Sequence, residues 1–335
     1  MPKKAIATRQ HFADRCCNRP AADLLRNMLL PFPSTFNVAP DTLYHYTTAS
    51  GLEGILSSST LFATHIGYLN DAQELKHGVK HIEKLLCASS DLVASIAARY
   101  PEHSIRVADG INQLRTEFTS EDHQSLIKHP YVTCLSAKGD RLSQWRGYGG
   151  TGGYAIHFDT KLLQKTVRLR GLDGPHVYGE QYLLQQIAYQ PDEASVYLSG
   201  ILDRLADAIN AQLHQPENSS RDGATFPYEF SLIELQGAIA VMKDPAFEEE
   251  HEFRIVAHPP DNHWDTDGCF HASSSIGLIP RLRLSFDPGC VTAVTVGPGE
   301  QQDLRVRSLE HYFDVHWDTY PNVQAEPSTI PFRPL

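Results

Sequence analysis

Alternating apolar and polar positions predict several short strands in the first half of the chain. Residues 43–47 and 61–64 have the pattern of strands, and residues 50–56 between them have the spacing of a short amphipathic helix. Residues 131–135 and 154–158 have the β-branched and aromatic composition typical of strands. We therefore expect a strand, a helix and a strand, followed by two further strands.

Longer stretches with apolar residues at helical spacing fill the middle of the chain. Residues 73–128 are expected to be largely helical, and the same periodicity covers residues 179–215, interrupted at Pro191, and residues 226–243. The polar segment 214–224 between the last two is expected to be a surface loop.

Strand composition returns in the last third of the chain. Residues 253–257, 278–286 and 291–296 are expected to be strands, and residues 304–313 to be a helix. This succession of strands and helices predicts an α/β fold of the α+β type.

The first residues differ from the rest. A short helical pattern is followed by a connector that contains Pro31, Pro33 and Pro40. We expect an N-terminal helical appendage with a proline-rich connector over residues 1–40, and a single α/β catalytic or ligand-binding domain over residues 41–335.

Composition and charge restrict the function. With 41% hydrophobic and 21% charged residues, the chain is ordinary for a globular protein. Its formal net charge is -11 and its 29 Lys and Arg residues are dispersed, which disfavours a broad electrostatic interface with nucleic acid. A local basic cleft is compatible with this balance.

Metal and membrane signals are weak. The six cysteines have no C-x-x-C spacing and are expected to be reduced thiols. The 17 histidines show no H-E-x-x-H spacing, so we expect no bound metal. Because no stretch has the roughly 18 to 20 apolar residues of a membrane helix, we expect a cytoplasmic protein without membrane contact.

The first candidate motif is Tyr44-His45-Tyr46-Thr47. In a strand, successive side chains point to opposite faces, so His45 and Thr47 share one face and the two tyrosines share the other. Two polar groups pointing the same way suit a binding site. An edge strand with a hydrogen-bonded histidine explains the motif equally well.

The second motif extends from Tyr68 to Glu74. Asn70 or Asp71 can cap the following helix, and Glu74 has the spacing of a capping box. Capping explains these residues economically. A helix start beside a cleft also offers backbone N–H groups to an anionic ligand.

The third motif, residues 143–150, contains Gln144, Trp145, Arg146 and Tyr148 ahead of a glycine-rich turn. A guanidinium pairs with phosphate or carboxylate, and aromatic rings stack on flat heterocycles, so this combination suits a nucleotide-like ligand. The alternative is a packing corner formed by tryptophan and arginine beside a glycine hairpin.

The fourth motif is the acidic segment 247–256. If the strand extends backward, Glu250, Glu252 and Arg254 lie on one face. A carboxylate beside an arginine stays ionised at neutral pH and can stabilise a developing cation. An acidic turn with a local ion pair is the alternative.

Together these blocks resemble an uncharacterised bacterial domain family. Its members show a His-Tyr-Thr start, a Tyr-Leu-Asn-Asp turn, a Gln-Trp-Arg-x-Tyr-Gly segment and an acidic Phe-x-Glu-Glu-x-Glu-x-Arg strand. The resemblance covers roughly residues 43–335, including the ending at residues 328–333. The family has no assigned activity.

More remotely, residues 45–47 followed by residues 51–56 resemble the opening strand and helix of ADP-ribosyltransferases, including bacterial toxins that modify nucleic acids. This resemblance implies a mixed central sheet like the core of those enzymes. The helical stretches 73–128 and 179–243 would then be large insertions.

The same resemblance implies residue roles. His45 would bind NAD with Thr47 nearby. Glu252, with Glu250 as second choice, would stabilise the oxocarbenium-like transition state as nicotinamide leaves.

Two further roles follow from the resemblance. The aromatic residue that stacks on nicotinamide would be Tyr148, Trp145 or Tyr68. Ser136 would match the central-strand serine of some transferases, although a serine at a strand end is also a common turn cap.

The leading hypothesis is an NAD-dependent ADP-ribosyltransferase or NAD-cleaving enzyme, acting as a toxin or phage-defence effector, with NAD as substrate and no metal. The catalytic candidates are Glu252 and Glu250. The NAD-binding candidates are His45, Thr47, Tyr68, Asn70, Ser136, Gln144, Trp145, Arg146, Tyr148 and Arg254.

Two alternatives stay open: a non-catalytic nucleotide-binding sensor module that uses the same groups, and a nuclease or other phosphodiester enzyme that uses His45, Arg146 and carboxylates. The sequence does not determine whether the acceptor is protein or nucleic acid, nor the oligomeric state.

Overall fold

The computed structural model describes residues 39–69, 74–119, 130–150, 152–170, 181–214, 226–258, 268–274 and 277–331. The expected N-terminal helix, Asn70, Asp71 and almost all of the expected loop at 214–224 lie outside these residues.

The described strands are β1 (Thr42–Thr47), β2 (Thr60–His65), β3 (Tyr131–Ser136), β4 (Tyr154–Asp159), β5 (Arg168–Leu169), β6 (Gln181–Gln186), β7 (Glu252–His258), β8 (Cys269–Ser274), β9 (Gly277–Ser285), β10 (Val291–Val296) and β11 (Gln324–Pro327). The described helices are α1 (Ala49–Ser58), α2 (Glu74–Cys87), α3 (Ser90–Ala98), α4 (Ser104–Phe118), α5 (Thr160–Thr166), α6 (Pro191–Leu213), α7 (Phe226–Ile239) and α8 (Gln302–Val315). A helical turn at Leu142–Gln144 continues into a π-helical segment, Trp145–Gly149, and 3₁₀ turns occupy Ile66–Tyr68, Pro245–Glu250 and Pro288–Cys290.

These strands form one mixed sheet. Its main order is β11-β10-β4-β1-β3-β2-β9-β5, and β7 joins it by pairing with β3, β6 by pairing with β7, and β8 by pairing with β9. β10 and β11 are parallel, whereas the other pairs are antiparallel. A central mixed sheet with many helices confirms the expected α+β class.

Strand β3 is the centre of the arrangement, because two strands share one of its edges. In the described sheet, β1 pairs with β3 at Tyr44 and Ser136, while β2 pairs at the other end, with residues 131–132. β1 and β2 therefore diverge opposite residues 133–135. The other edge of β3 pairs with β7 along its whole length.

Helices cover both faces of this sheet. Helices α2, α3, α4, α6 and α7 pack over β3 and β7 on one face, which we call the helical face. Helices α1, α5 and α8 pack on the opposite face. Burying a large apolar side chain contributes about 1.5–3 kcal/mol, so these two cores fix the strands that carry the candidate site. Among the described helices, none is long and apolar enough to cross a membrane.

The structure corrects the expected helix over residues 179–215. Residues 181–186 form strand β6, which pairs with β7 over its whole length. Pro191 does not interrupt a helix but begins α6, where its missing N–H has no consequence. The Glu193 carboxylate supports this start by accepting hydrogen bonds from the backbone N–H groups of Tyr189 and Gln190, at 2.8 and 3.0 Å.

Close backbone packing joins the π-helical segment to β4. A Cβ atom added to Gly153 would lie 2.2 Å from the Cα atom of Gly149, which is backbone and cannot rotate away. We expect Gly153→Ala to lower the free energy of unfolding by about 1–3 kcal/mol. Gly54→Ala is the matched control, since nothing lies within 4 Å of its added Cβ. In a helix it should stabilise by about 0.5–1 kcal/mol, and urea denaturation measures both.

Candidate functional site

A small cavity of about 90 Å³ opens where β1 and β2 diverge. Its walls come from β1, β3, the segment 142–149 and the start of β7. The lining residues are Tyr44, His45, Tyr46, Cys134, Leu135, Ser136, Gln144, Tyr148, Glu250 and Glu252. Motifs that are more than 200 positions apart in the sequence therefore meet around one space.

A larger, more open hollow of about 380 Å³ adjoins this cavity and shares Gln144, Tyr148 and Glu250 with it. Ser143, Gly147, Ala246, Phe247 and Glu249 contribute to its walls. The small cavity alone cannot hold a dinucleotide, because pockets for drug-sized ligands occupy about 300–1,000 Å³. Together the two spaces reach that range.

His45 is fixed by the backbone of β3. Its Nδ1 atom lies 3.0 Å from the carbonyl oxygen of Cys134, in the part of β3 where β1 and β2 diverge. Burial lowers the pKa of His45, so its ring is neutral. We assign the proton to Nδ1, which donates to the carbonyl, and this leaves Nε2 as a hydrogen-bond acceptor.

Glu252 is the most strongly held carboxylate of the site. It is 4% exposed, and its Oε2 atom lies 2.9 Å from Nζ of Lys243. Arg254 donates to both of its oxygens, from Nε to Oε1 at 2.6 Å and from Nη2 to Oε2 at 3.1 Å. Burial alone would raise the pKa of Glu252, but Arg254 and Lys243 outweigh burial and lower it to about 2. The carboxylate is therefore ionised.

This contact belongs to a buried row of alternating charges. The row consists of Glu74, Arg254, Glu252, Lys243 and Glu250. At one end Arg254 forms an ion pair with Glu74 and donates to the carbonyl of Ala240 at 2.7 Å. At the other end Lys243 lies 2.6 Å from Glu250. Such a row is stable only while every charge keeps its partner.

Acid should weaken folding through Glu252. Its pKa is about 2 in the folded chain against an ordinary 4.5. Its contribution of about 3 kcal/mol is therefore complete above pH 4.5 and is lost as the pH falls from 4.5 towards 2. Urea denaturation at pH 6, 4 and 3 should show a shallower decline for Glu252→Gln than for the exposed control Glu310→Gln. Equal declines would contradict this assignment.

Glu250 is placed by the turn before β7. His251 adopts a left-handed conformation, with φ of 45°, and ends the 3₁₀ turn Pro245–Glu250. The Ser136 hydroxyl donates to the carbonyl of Glu250 at 2.9 Å, and the N–H of Ala137 donates to the carbonyl of His251 at 2.9 Å. Ser136 thus fixes the backbone that carries both carboxylates.

The segment 142–149 closes the cavity from the side of the larger hollow. Gln144 is buried and Tyr148 is 40% exposed, and both line the two spaces. Burial and the nearby Glu250 raise the pKa of Tyr148, so its hydroxyl is neutral and can donate. Tyr148 is the only one of the three proposed stacking residues among those that line the two spaces.

Trp145 and Arg146 are not among the residues that line these spaces. Trp145 is 2% exposed, packs edge-on against Tyr46 with a centroid distance of 4.8 Å, and donates from Nε1 to Asp140 at 2.9 Å. Asp140 also accepts from the backbone N–H of Thr329 at 2.9 Å, so Trp145 helps to attach the C-terminal segment. Arg146 is exposed.

Three further candidates lie elsewhere or act indirectly. Thr47 stands against the start of α1, where a Cβ at Gly51 would meet its hydroxyl, and Tyr68 packs against His65 at 5.4 Å. Neither lines the described cavities. Arg254 is 1% exposed and holds Glu252 instead of facing a ligand. Asn70 lies outside the described residues.

The sequence analysis missed Lys243, Cys134 and Tyr44, and assigned Glu74 to a helix cap. Residues 70–73, which would hold that cap, lie outside the described residues, and the structure shows in addition that Glu74 pairs with Arg254. Lys243 had one signal, because it directly follows the apolar run 238–242 and precedes an acidic cluster. A lysine buried in that context needs carboxylate partners.

One group of described side chains has metal-ligand spacing. The ligand atoms of Glu102, His103 and His214 lie within 4.8 Å of one another. They lie directly before α4 and directly after α6, and none of them lines the candidate cavity.

Residues 144–255 match a family model described as "Protein of unknown function (DUF2971)". The match supports the expected kinship with an uncharacterised family for this part of the 335-residue chain. The matched part contains Gln144, Tyr148, Lys243, Glu250 and Glu252. No curated protein and no solved structure matches the chain.

Proposed function

We propose that this protein binds NAD at the divergence of β1 and β2 and breaks the bond between nicotinamide and ribose. The ADP-ribosyl group then passes to an acceptor or to water. The observation that carries the proposal is the cavity shared by His45, Tyr148, Glu250 and the ionised carboxylate of Glu252.

The chemistry follows from the charge that develops at the sugar. As the C–N bond breaks, nicotinamide leaves with the bonding electron pair, and the ribose carbon becomes positively charged. A fixed carboxylate beside that carbon stabilises the transition state more than the neutral-sugar ground state. The acceptor then forms a new bond to the same carbon and loses a proton.

Glu252 suits this role because the cations keep it ionised and immobile. A carboxylate accepts about four hydrogen bonds, and Lys243 and Arg254 supply three. The thiol of Cys134 also donates a hydrogen bond to Glu252. Burial and the charge of Glu252 raise the pKa of Cys134, so the thiol is protonated. A thiol is a weak donor, so a ribose hydroxyl can replace it readily.

His45 suits binding of the ribose, and Tyr148 suits binding of the flat nicotinamide ring. The Nε2 atom of His45 can accept a hydrogen bond from a ribose hydroxyl, while the Tyr148 ring offers a flat face at the junction with the larger hollow. That hollow would hold the part of NAD that the small cavity cannot enclose. Glu250 lines both the small cavity and the larger hollow, and an acceptor would approach the ribose beside it.

Incubation of the purified protein with NAD and a cell lysate tests this proposal. We expect release of nicotinamide and, if the acceptor is a macromolecule, label transfer from NAD that carries the label in its adenylate part. His45→Ala should weaken NAD binding measured by calorimetry. Absence of both NAD binding and nicotinamide release would overturn the proposal.

A non-catalytic nucleotide-binding module is the second candidate. One observation favours it: Lys243 and Arg254 already engage both oxygens of Glu252. In that case the carboxylate would only position the two cations. NAD binding without nicotinamide release, in wild type and Glu252→Gln alike, would identify this function.

A further inference from the structure

Part of the helical face of the sheet bears a regular set of aromatic and basic side chains. Register fixes which residues share this face: Phe62 lies opposite Arg283, and Phe270 lies opposite Arg281. Along β9 the arginines alternate with the buried Leu282 and Leu284, which point to the opposite core. We call Phe62, Phe270, Arg281 and Arg283 the β9 platform.

Two rings and one guanidinium group are in contact in the β9 platform. Phe62 is 45% exposed and meets Phe270 at a centroid distance of 4.9 Å. The guanidinium carbon of Arg283 lies 4.1 Å from the centre of the Phe270 ring. The planes of the two rings form an angle of 61°, and Arg283 occupies one face of Phe270, so Phe62 is the ring that offers an exposed surface for a base.

The described charged side chains of this surface are basic, although the chain as a whole is acidic. Arg281 and Arg283 are the two arginines that strand register places on this surface. The remaining described positions of this face on β2, β8 and β9 hold no Asp or Glu. They are Thr60, Thr64, Ala272, Ser274, Gly277, Ile279 and Ser285.

The described helices do not pack on this part of the face. The core under α2, α3, α4, α6 and α7 takes its sheet residues from β3 and β7 and includes none from β8 or β9. The β9 platform also adjoins the candidate cavity. Thr133 donates from its hydroxyl to the carbonyl of Phe62 at 3.1 Å, and the next residue, Cys134, lines the cavity.

We propose that the β9 platform binds single-stranded nucleic acid, with a base stacked on Phe62 and phosphates paired with Arg281 and Arg283. Aromatic rings interleaved with arginines on an open sheet are the chemistry that unpaired bases and a phosphate backbone require. An acidic protein would use the arginines but would not need the rings. The proposal concerns binding alone and does not depend on NAD cleavage.

Binding of labelled twelve-nucleotide oligo-dT and oligo-U, measured by fluorescence anisotropy in the absence of NAD, tests the proposal. We expect the wild-type protein to bind one or both at low salt. Phe62→Ala should weaken binding about tenfold, since stacking of a base contributes about 1–3 kcal/mol and tenfold corresponds to about 1.4. Phe62→Trp should retain binding, whereas Phe62→Leu, which keeps apolar contact with Phe270, should not.

Salt dependence tests the arginines separately. In the double variant Arg281→Gln and Arg283→Gln, the slope of log affinity against log salt concentration should become less negative by about 1.4. Each lost phosphate contact contributes about 0.7 to this change. Trp317→Ala is the matched control, because Trp317 is an aromatic residue that is 70% exposed outside the platform. It should bind as wild type does. Melting temperatures establish that each variant is folded.

Three results would overturn the proposal. The first is no binding of either oligonucleotide at 25 mM salt. The second is equal binding by folded Phe62→Ala and Trp317→Ala. The third is binding of a polyglutamate peptide that displaces the oligonucleotide and is unaffected by Phe62→Ala, which would identify an acidic protein as the partner. Nicotinamide release in the absence of oligonucleotide binding would leave the proposed NAD chemistry standing and this proposal refuted.

Discussion

Replacing Arg254 with leucine is expected to lower the free energy of unfolding by about 3–5 kcal/mol. The guanidinium is 1% exposed and holds two buried carboxylates, those of Glu252 and Glu74. Without it, Glu74 loses its described counter-ion and Glu252 keeps only Lys243. Urea denaturation with spectroscopic detection measures the change.

Arg99→Leu is the matched control. Arg99 pairs with Asp203, but the two side chains are 52% and 39% exposed. A pair in contact with water contributes about 0–1 kcal/mol, so the control should be close to wild type. If Arg254→Leu were no less stable than Arg99→Leu, the buried row of charges would not be a significant source of stability.

The second large effect concerns turnover. We expect Glu252→Gln to reduce the rate of nicotinamide release about 10²–10³-fold, because a neutral amide does not stabilise the positive charge at the ribose carbon. NAD affinity should change little, since the ground-state sugar carries no such charge. Single-turnover nicotinamide release and calorimetric NAD binding separate these two quantities.

Glu248→Gln serves as the control for this substitution. Glu248 belongs to the same acidic segment but is exposed and lines neither described cavity. It should retain wild-type turnover. Because Glu252→Gln also disturbs the buried charges, rates must be expressed per folded molecule. Unchanged turnover in folded Glu252→Gln would remove this residue from the mechanism and leave Glu250 as the candidate.

Strand parity was sufficient to predict part of the site. Alternation along β7 placed Glu252 and Arg254 on one face, and their hydrogen bonds confirm that placement. The strands β1, β3 and β4 were predicted to within one or two residues because each is short and bounded by polar positions. Local pattern is enough where one strand face is apolar.

Features that depend on distant partners were not predictable. The residues of β6 have a helical pattern, but they form a strand because each of them pairs with a residue of β7. Glu74 satisfies the local rule for a helix start, and only the fold reveals that Arg254 lies beside it. The glycines predicted a turn after Tyr148, but no local pattern predicted the π-helical segment Trp145–Gly149.

Because β1 and β2 share one edge of β3, the backbone of β3 restricts which positions can change the ligand specificity of the cavity. Where β1 and β2 separate, the group that faces His45 is the peptide carbonyl at position 134, which every amino acid supplies. Substitution at that position can alter the side chain but not this acceptor. Substitutions that change the ligand specificity of the cavity are therefore expected at His45, Gln144, Tyr148 and Glu250. The backbone carbonyl at position 134 stays the same in every such variant.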